Sequence, residues 1–193
     1  TLLMQPAFWQ RQSIGAKVKS PFELVASSLR IAGSNTFDER AIVGHLTQMG
    51  QDLYSYRAPT GWPDRASYWV SPGNVLNRMA FALDMAEGRL GTLRLRHTLI
   101  AKETGTKAAV KPEVLLQRLG EEILPGRNLE STQNLLMQAV LDPDYSQRVR
   151  QAKLSRGKLP KPVAGKAEVL QLTPQQKAKT VGLLLGCPEF QRR

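Results

Sequence analysis

The amino-acid sequence predicts an all-α fold, an irregular bundle of about six to seven helices joined by loops rich in Pro and Gly. Helix-start signals recur along the chain, and the apolar residues after each start follow helical spacing. The clearest strand-like alternation, Leu93–His97, is too short to predict a strand. With 193 residues, 41% of them apolar, the chain is long enough to bury a core.

Three helix starts share one arrangement, a hydroxyl residue at the N-cap followed by proline at the first helical position. They are Ser20-Pro21, Ser71-Pro72 and Thr173-Pro174, and Lys111-Pro112 is a weaker version. Where the third helical residue is Glu or Gln, as at Glu23 and Gln176, a reciprocal capping box can form.

The predicted helices follow in chain order, each with apolar residues on one face. After Ser20 these residues are Leu24, Val25, Leu29 and Ala32. A helix from Asp38 carries Ile42, Val43, Leu46 and Met49 and ends at Gly50, which suits the left-handed position after a helix. The apolar residues of the next two helices are Val75, Leu76, Met79, Ala80 and Leu83, then Leu115, Leu119 and Ile123. Another helix runs from about Ser131 through Val140, and the last follows Thr173.

A second regularity is a proline followed by an aromatic residue two positions on and an arginine five positions on. It occurs at Pro6–Arg11, Pro143–Arg148 and Pro188–Arg193, each time after an apolar helical stretch. We interpret it as a helix terminator in which the ring fixes the exit of the chain. This interpretation predicts that Phe8, Tyr145 and Phe190 are at least partly buried.

The excess of basic residues is concentrated in the C-terminal part of the chain. Residues 1–144 hold 16 Lys and Arg against 14 Asp and Glu, whereas residues 145–193 hold 11 against 2. We expect a helical domain over residues 1–144, a basic linker or loop containing Pro and Gly over 145–172, and a C-terminal helix with its terminator over 173–193, packing back on the domain.

The basic residues of the predicted linker are candidate contacts for an anionic partner such as nucleic acid, phospholipid, polysaccharide or an acidic protein surface. They are Arg148, Arg150, Lys153, Arg156, Lys158, Lys161 and Lys166. We expect this segment to be an exposed loop or linker that holds no regular element, and the alternative to an anionic contact is a solvated connector.

The loop Ala58–Asp64 is stiff, because two prolines flank a glycine that permits a tight turn. Its Trp62 lies close in sequence to Tyr54, Tyr56, Tyr68 and Trp69. The loop and its surroundings supply candidate residues for binding a sugar or another flat ligand. They are Trp62, Tyr54, Tyr56, Trp69 and Asp64. Burial of the rings against the flanking helices is the alternative.

Other chemistries lack their sequence signals. His45 and His97 have no partner at metal-ligand spacing, so we expect no metal site and no cofactor. His45 is expected to cap a helix or line the edge of the core. The single cysteine, Cys187, excludes an internal disulfide, and its apolar surroundings predict a buried, inert thiol. The chain also lacks a Gly-x-Ser-x-Gly elbow and a phosphate-binding loop.

The order of several segments resembles a large bacterial family of unknown function, catalogued as family 1800. These segments are Lys19–Leu24, Leu46–Tyr54, Gly61–Asp64, Trp69–Pro72 and Leu183–Gln191. The chain resembles only the C-terminal part of such a protein, and it starts inside an apparent helix end, so we expect it to be part of something larger. Members are often encoded beside an exported family, catalogued as family 1501, which resembles sulfatases and phosphatases.

The resemblance implies a protein partner or larger assembly, either the missing N-terminal half or a family 1501 protein. It also implies a location in the periplasm or at the cell surface, although the cytoplasm remains open. No apolar run reaches the roughly 18 residues of a membrane-spanning helix.

Three functions follow from the sequence as hypotheses. The first is a structural or interaction module that lacks catalytic groups. The second is a hydrolase with a site near Gly61–Pro63, where Glu23, Asp52 or Asp64 would have to converge. The third is non-specific binding of nucleic acid or another polyanion through the basic segment.

Overall fold

The computed structural model describes residues 4–10, 15–33, 36–90, 111–163 and 172–193. Within these ranges it contains eight α-helices and no strand, which confirms the all-α prediction. The helices are α1 (Pro21–Ala32), α2 (Glu39–Gln48), α3 (Ala66–Trp69), α4 (Pro72–Ala86), α5 (Pro112–Ile123), α6 (Glu130–Leu141), α7 (Tyr145–Leu154) and α8 (Pro174–Gly186). A 3₁₀ turn covers Pro6–Trp9. The alternating segment Leu93–His97 lies outside the described residues.

The predicted helix starts are confirmed. The Ser20 and Thr173 side chains accept hydrogen bonds from the backbone of Glu23 and Gln176, and both capping boxes are complete. Ser71 accepts a hydrogen bond from the backbone of Asn74, whereas Lys111 makes no side-chain cap. These bonds satisfy amides that a helix N-terminus leaves without an internal acceptor.

The N-terminal part of the predicted linker is helical, which corrects the expectation that this segment holds no regular element. Helix α7 covers Tyr145–Leu154 and buries Tyr145, Ser146 and Val149. Its Arg148 and Arg150 pair with carboxylates, so these charges can be partly buried when the helix packs against the fold. The chain beyond Ser155, as far as residue 163, is irregular.

Helices α4 and α8 form the centre of the core. Helix α8 packs chiefly on α4 and also contacts α5 and α6, while α7 and α2 cover other sides of α4. The two central helices approach closely at Gly182. A methyl group there would lie 2.9 Å from Ala86 Cβ and 3.0 Å from the Ala82 carbonyl oxygen, which is closer than carbon atoms normally pack.

The first and last parts of the fold meet beside this core. Residues 17–19 pair with residues 191–193 through an antiparallel bridge between Val18 and Arg192. The fully buried side chain of Arg78, on α4, donates a hydrogen bond to the Lys19 carbonyl oxygen at 2.8 Å. Burial lowers the pKa of Arg78 to about 10, against the opposing effect of Glu23. The bridge is therefore tied directly to the central helix.

The burial that the helix-terminator interpretation predicts is confirmed for two of its three rings. Tyr145 is 4% exposed and Phe190 is 3% exposed. The Lys19 ammonium makes a cation–π contact with the Phe190 ring, and its Nζ lies 3.7 Å from the ring centroid. The side chain of Phe8 lies outside the described part of the molecule.

Candidate functional site

The loop between α2 and α4 holds a cluster of aromatic rings. Trp62 is central: its ring centroid lies 4.4 Å from that of Tyr56, 5.8 Å from that of Trp69 and 6.4 Å from that of Tyr68. Tyr68 and Trp69 also meet edge to face at 4.8 Å. These distances fall in the range of favourable aromatic pairs. The clustering that sequence proximity suggested is therefore present for four of the five rings.

Burial within the cluster is uneven. Trp69 is 2% exposed, and its indole N–H donates to the Pro63 carbonyl oxygen at 3.0 Å. Tyr56 and Trp62 are half-buried and Tyr68 is 47% exposed. We call Tyr56, Trp62 and Tyr68 the aromatic surface, because they form an exposed layer over the buried Trp69.

The turn before Trp62 has the conformation that its glycine permits. Gly61 has a φ of 72°, and its amide donates to the Ala58 carbonyl oxygen at 3.2 Å. A non-glycine residue rarely adopts this left-handed backbone conformation. The turn thus places Trp62 between Tyr56, which precedes the loop, and the short helix α3, which follows it.

Two candidate ligand-binding residues lie outside the aromatic surface. Tyr54 is fully exposed at a φ of 60°, so it stands apart from the other rings. Asp64 is exposed and forms an ion pair with Lys17.

Two of the three carboxylates that the hydrolase hypothesis names, those of Glu23 and Asp64, are engaged in structural contacts. Glu23 accepts a hydrogen bond from the Ser20 amide at 2.8 Å and pairs with Arg193 at 2.9 Å. Asp64 pairs with Lys17, and Asp52 is an exposed residue whose carbonyl oxygen accepts from Ser55. A glycosidase-like mechanism needs two carboxyl groups free to face one substrate. This arrangement gives the hydrolase hypothesis no support.

The basic candidates divide into inward and outward groups. Arg150 donates to Asp84 at 2.8 Å and pairs with Glu87, and Arg148 pairs with Asp142. Burial acts to lower the pKa of Arg150, but the hydrogen bonds to the two carboxylates outweigh it and the pKa is raised. Lys153 is half-buried, and burial lowers its pKa against the effect of Asp84. These three cations are therefore largely engaged within the fold.

The outward group is smaller. Arg156, Lys158 and Lys161 are exposed in the irregular segment after α7. Lys158 and Leu159 also line a shallow apolar groove of about 450 Å³ with Val70 and Val75. Lys166 lies outside the described residues.

A polar cleft of about 740 Å³ lies where the C-terminal end of α4 meets the N-terminal ends of α7 and α8. We call this space the polar cleft. Its lining includes Glu87, Ser146, Arg150 and Lys179. Sequence reasoning missed it, because these residues come from three separate segments. The two proline-containing helix starts, Pro143–Ser146 and Thr173–Gln176, are the nearest sequence signal to it.

Two side chains in the polar cleft are deeply buried. Lys179 is 5% exposed and its Nζ donates to the Asp142 carbonyl oxygen at 2.6 Å. Burial lowers its pKa, while Asp142, Glu87 and Asp144 oppose the shift. Ser146 is 6% exposed, and its hydroxyl oxygen has no hydrogen-bond partner within the described residues.

The remaining reactive side chains form structural contacts. Cys187 is 1% exposed, as predicted, and burial raises the pKa of its thiol to about 12. His45 packs edge to face on Phe81 at the border of the core, also as predicted, and burial lowers its pKa. Among the described residues, no group of three or more His, Cys, Asp and Glu side chains could hold a metal ion.

Comparison with known proteins identifies a family. A family model described as "Protein of unknown function (DUF1800)" matches residues 1–192. The chain therefore belongs to the DUF1800 family. The resemblance expected from the sequence is confirmed, and the match spans both the aromatic surface and the polar cleft. No curated protein and no solved structure matches the chain.

Membership of the DUF1800 family assigns neither a reaction nor a ligand, so functional inference rests on these two surfaces. Within the described ranges, none of the helices combines the length and apolar character needed to traverse a lipid bilayer.

Proposed function

We propose that this DUF1800 chain is a protein-interaction module and that the aromatic surface of Tyr56, Trp62 and Tyr68 is its contact site. The observation that carries the proposal is the clustering of an exposed Tyr68 and the half-buried Trp62 and Tyr56 beside a buried, hydrogen-bonded Trp69. Large rings on a rigid base lose little conformational freedom when a partner binds, so they supply contact area at low entropic cost.

The surroundings of the rings favour a protein over a small molecule. Exposed Arg57 and Arg65 lie next in sequence to Tyr56 and to Asp64. Trp, Tyr and Arg are the residue types enriched where interfaces concentrate their binding energy. Neither the polar cleft nor the apolar groove is lined by a ring of the aromatic surface, whereas a small ligand normally requires a concave site.

The partner that the family resemblance implies is an exported protein of family 1501, and the N-terminal half of a longer polypeptide is the other candidate. Either partner would be met in the periplasm or at the cell surface. We propose family 1501 first, because a separate polypeptide would gain most from an anchoring patch of rings.

Affinity purification of the full-length gene product from its native source tests the proposal. We expect a stoichiometric companion whose recovery falls at least about tenfold in Trp62→Ala and in Tyr56→Ala, as for hot-spot residues. Tyr54→Ala is the matched control, since it removes the same ring from an exposed position outside the aromatic surface. A monodisperse monomer without a companion, or equal losses in all three variants, would contradict the proposal.

A second proposal, weak polyanion binding, is favoured by the exposed Arg156, Lys158 and Lys161. Such binding is electrostatic and should fall steeply with salt. We expect replacement of all three residues by Gln to shift elution from heparin to lower salt. The same three-charge loss at exposed Arg30, Arg40 and Lys111 is the control. Equal shifts for both triple variants would indicate a net-charge effect and refute a specific contact.

A further inference from the structure

We propose that the polar cleft binds a phosphate group, carried either by a soluble phosphate ester or by a lipid headgroup. The proposal is independent of the aromatic surface and of the protein partner. It rests on the helix ends, the unpartnered hydroxyl and the charges that converge on the cleft.

Two helices direct their N-terminal ends toward the polar cleft. Pro143, Ser146 and Gln147, from the start of α7, line one side, and Thr173–Gln176, from the start of α8, line another. The Thr173 box caps α8, whereas α7 begins without any side-chain cap. First-turn amides have no acceptor inside their own helix, and a helix N-terminus favours negative charge. The start of α7 therefore has donor capacity that an anion could use.

The hydroxyl of Ser146 provides the second, independent observation. It belongs to a residue that lines the cleft and is 6% exposed, yet the oxygen has no hydrogen-bond partner in the described part of the chain. A buried polar group that is left unpaired destabilises the fold, because it has lost its hydrogen bonds to water. A ligand oxygen that accepts the hydroxyl hydrogen would give Ser146 the partner that it lacks.

Cations outnumber carboxylates in the lining, and two of the three cations, Arg89 and Arg150, pair with the same carboxylate, Glu87. Arg89, Arg150 and Lys179 are its cations, and Glu87 is the one carboxylate that lines it among the described residues. Arg150 is held in place by Asp84 and Glu87, so its position is fixed before a ligand arrives. Lys179 donates to one carbonyl, and an ammonium has three N–H groups, so donors remain for a phosphate oxygen.

The size of the polar cleft leaves room for a ligand larger than a phosphate ion. At about 740 Å³ it lies within the usual range for small-molecule sites and exceeds what a bare phosphate ion would fill. The phosphate group would occupy the helix ends, and the rest of the ligand would lie along the open part of the cleft. A phosphomonoester fits this description whether it is a free metabolite or the headgroup of phosphatidic acid.

Binding of two probes to the full-length protein tests the proposal. The soluble probe is glycerol 3-phosphate, measured by titration calorimetry, and the lipid probe is a phosphatidylcholine vesicle with about one-tenth phosphatidic acid, measured by flotation. We expect at least one probe to bind and Ser146→Ala to weaken its binding about tenfold, as expected for a lost hydrogen bond to a charged group. Ser146→Ala should fold normally, because it removes an unpaired polar atom.

Ser28→Ala is the matched control. Ser28 is also fully buried with an unpartnered hydroxyl, but it lies on α1 and does not line the cleft. Binding of glycerol 3-phosphate that is lost only in Ser146→Ala supports a soluble ligand, and the same pattern confined to vesicles supports a lipid headgroup. If neither probe binds, or if both serine variants bind like the unaltered protein, the phosphate site is overturned.

Discussion

The contact between α4 and α8 and the loop that carries Trp62 use side-chain size in opposite ways. In the core, Gly182 has no side chain, and its helix therefore approaches the backbone of Ala82 and Leu83. In the loop, prolines and a left-handed Gly61 hold large rings at the surface, where only Trp69 is buried. Small residues allow close helix packing in one region, whereas the other region keeps large aromatic rings at the surface.

The two regions differ in how much they contribute to the free energy of folding. Burial of apolar area in the core supplies most of the free energy of folding. Rings left half-exposed contribute less, since part of each ring face remains in contact with water. A protein that keeps Trp62 and Tyr68 in this position gains little stability from them, and this is why we assign them to a partner.

Removal of the Trp69 side chain should produce the largest loss, because this ring is 2% exposed and contacts the rings of Trp62 and Tyr68. We expect Trp69→Ala to lower the free energy of unfolding by about 3–5 kcal/mol. Trp69→Phe should lose only about 1 kcal/mol, the contribution of the hydrogen bond to Pro63. Urea denaturation followed by circular dichroism measures both. A loss below 1 kcal/mol for Trp69→Ala would show that the loop is not anchored to the core.

A methyl group between α4 and α8 should have the next largest effect. Gly182→Ala brings its Cβ to within 2.9 Å of Ala86 Cβ, and we expect a loss of about 1–3 kcal/mol from overpacking. Gly44→Ala, within α2, has nothing within 4 Å of the new methyl group and should gain about 1 kcal/mol from helix propensity. Equal stability of the two variants would refute the close approach of the central helices.

The helices could be predicted wherever their signals are local. Each capping box lies within four residues of sequence, Ser20 with Glu23 and Thr173 with Gln176. Both boxes are present in the structure. Helix α7 escaped prediction because its stability depends on distant partners. Arg150 finds Asp84 across 66 residues, and no local pattern shows that its charge is compensated.

The candidate sites show the same limit. The clustering of Tyr56, Trp62 and Tyr68 could be predicted because these rings are close in the sequence, whereas Tyr54, equally close, is fully exposed with a left-handed backbone. The polar cleft could not be predicted. Ser146 and Lys179 meet there only after α7 and α8 have packed against α4, and neither belongs to a recognisable motif.

Titration of Lys19 should change stability by a smaller amount, in a defined pH window. Burial lowers the pKa of Lys19 to about 8 from 10.5, with Arg127 adding to the effect. Between these values the unfolded chain binds more protons than the folded one, so stability should rise with pH from 8 to 10.5. Lys19→Met should lack this rise, which we expect to be about 1 kcal/mol after allowance for solvent screening.

Urea unfolding of the protein and of Lys19→Met at several pH values measures this rise as a difference between the two. Arg78 and Cys187 are present in both proteins, so their own titration largely cancels. A difference that is independent of pH would show that the Lys19 ammonium on Phe190 is not destabilised by burial.

Removal of single tyrosine rings from the segment that precedes the loop should have the smallest effect. Tyr56→Ala breaks the 4.4 Å pair with Trp62 and should cost about 0.5–1.5 kcal/mol, the usual contribution of an aromatic pair. Tyr54→Ala removes a fully exposed ring and should change stability by less than about 0.5 kcal/mol. Paired denaturation curves resolve this gap. A cost above 3 kcal/mol for Tyr56→Ala would place the ring in the core, and the exposed cluster would then be a structural element with no need of a partner.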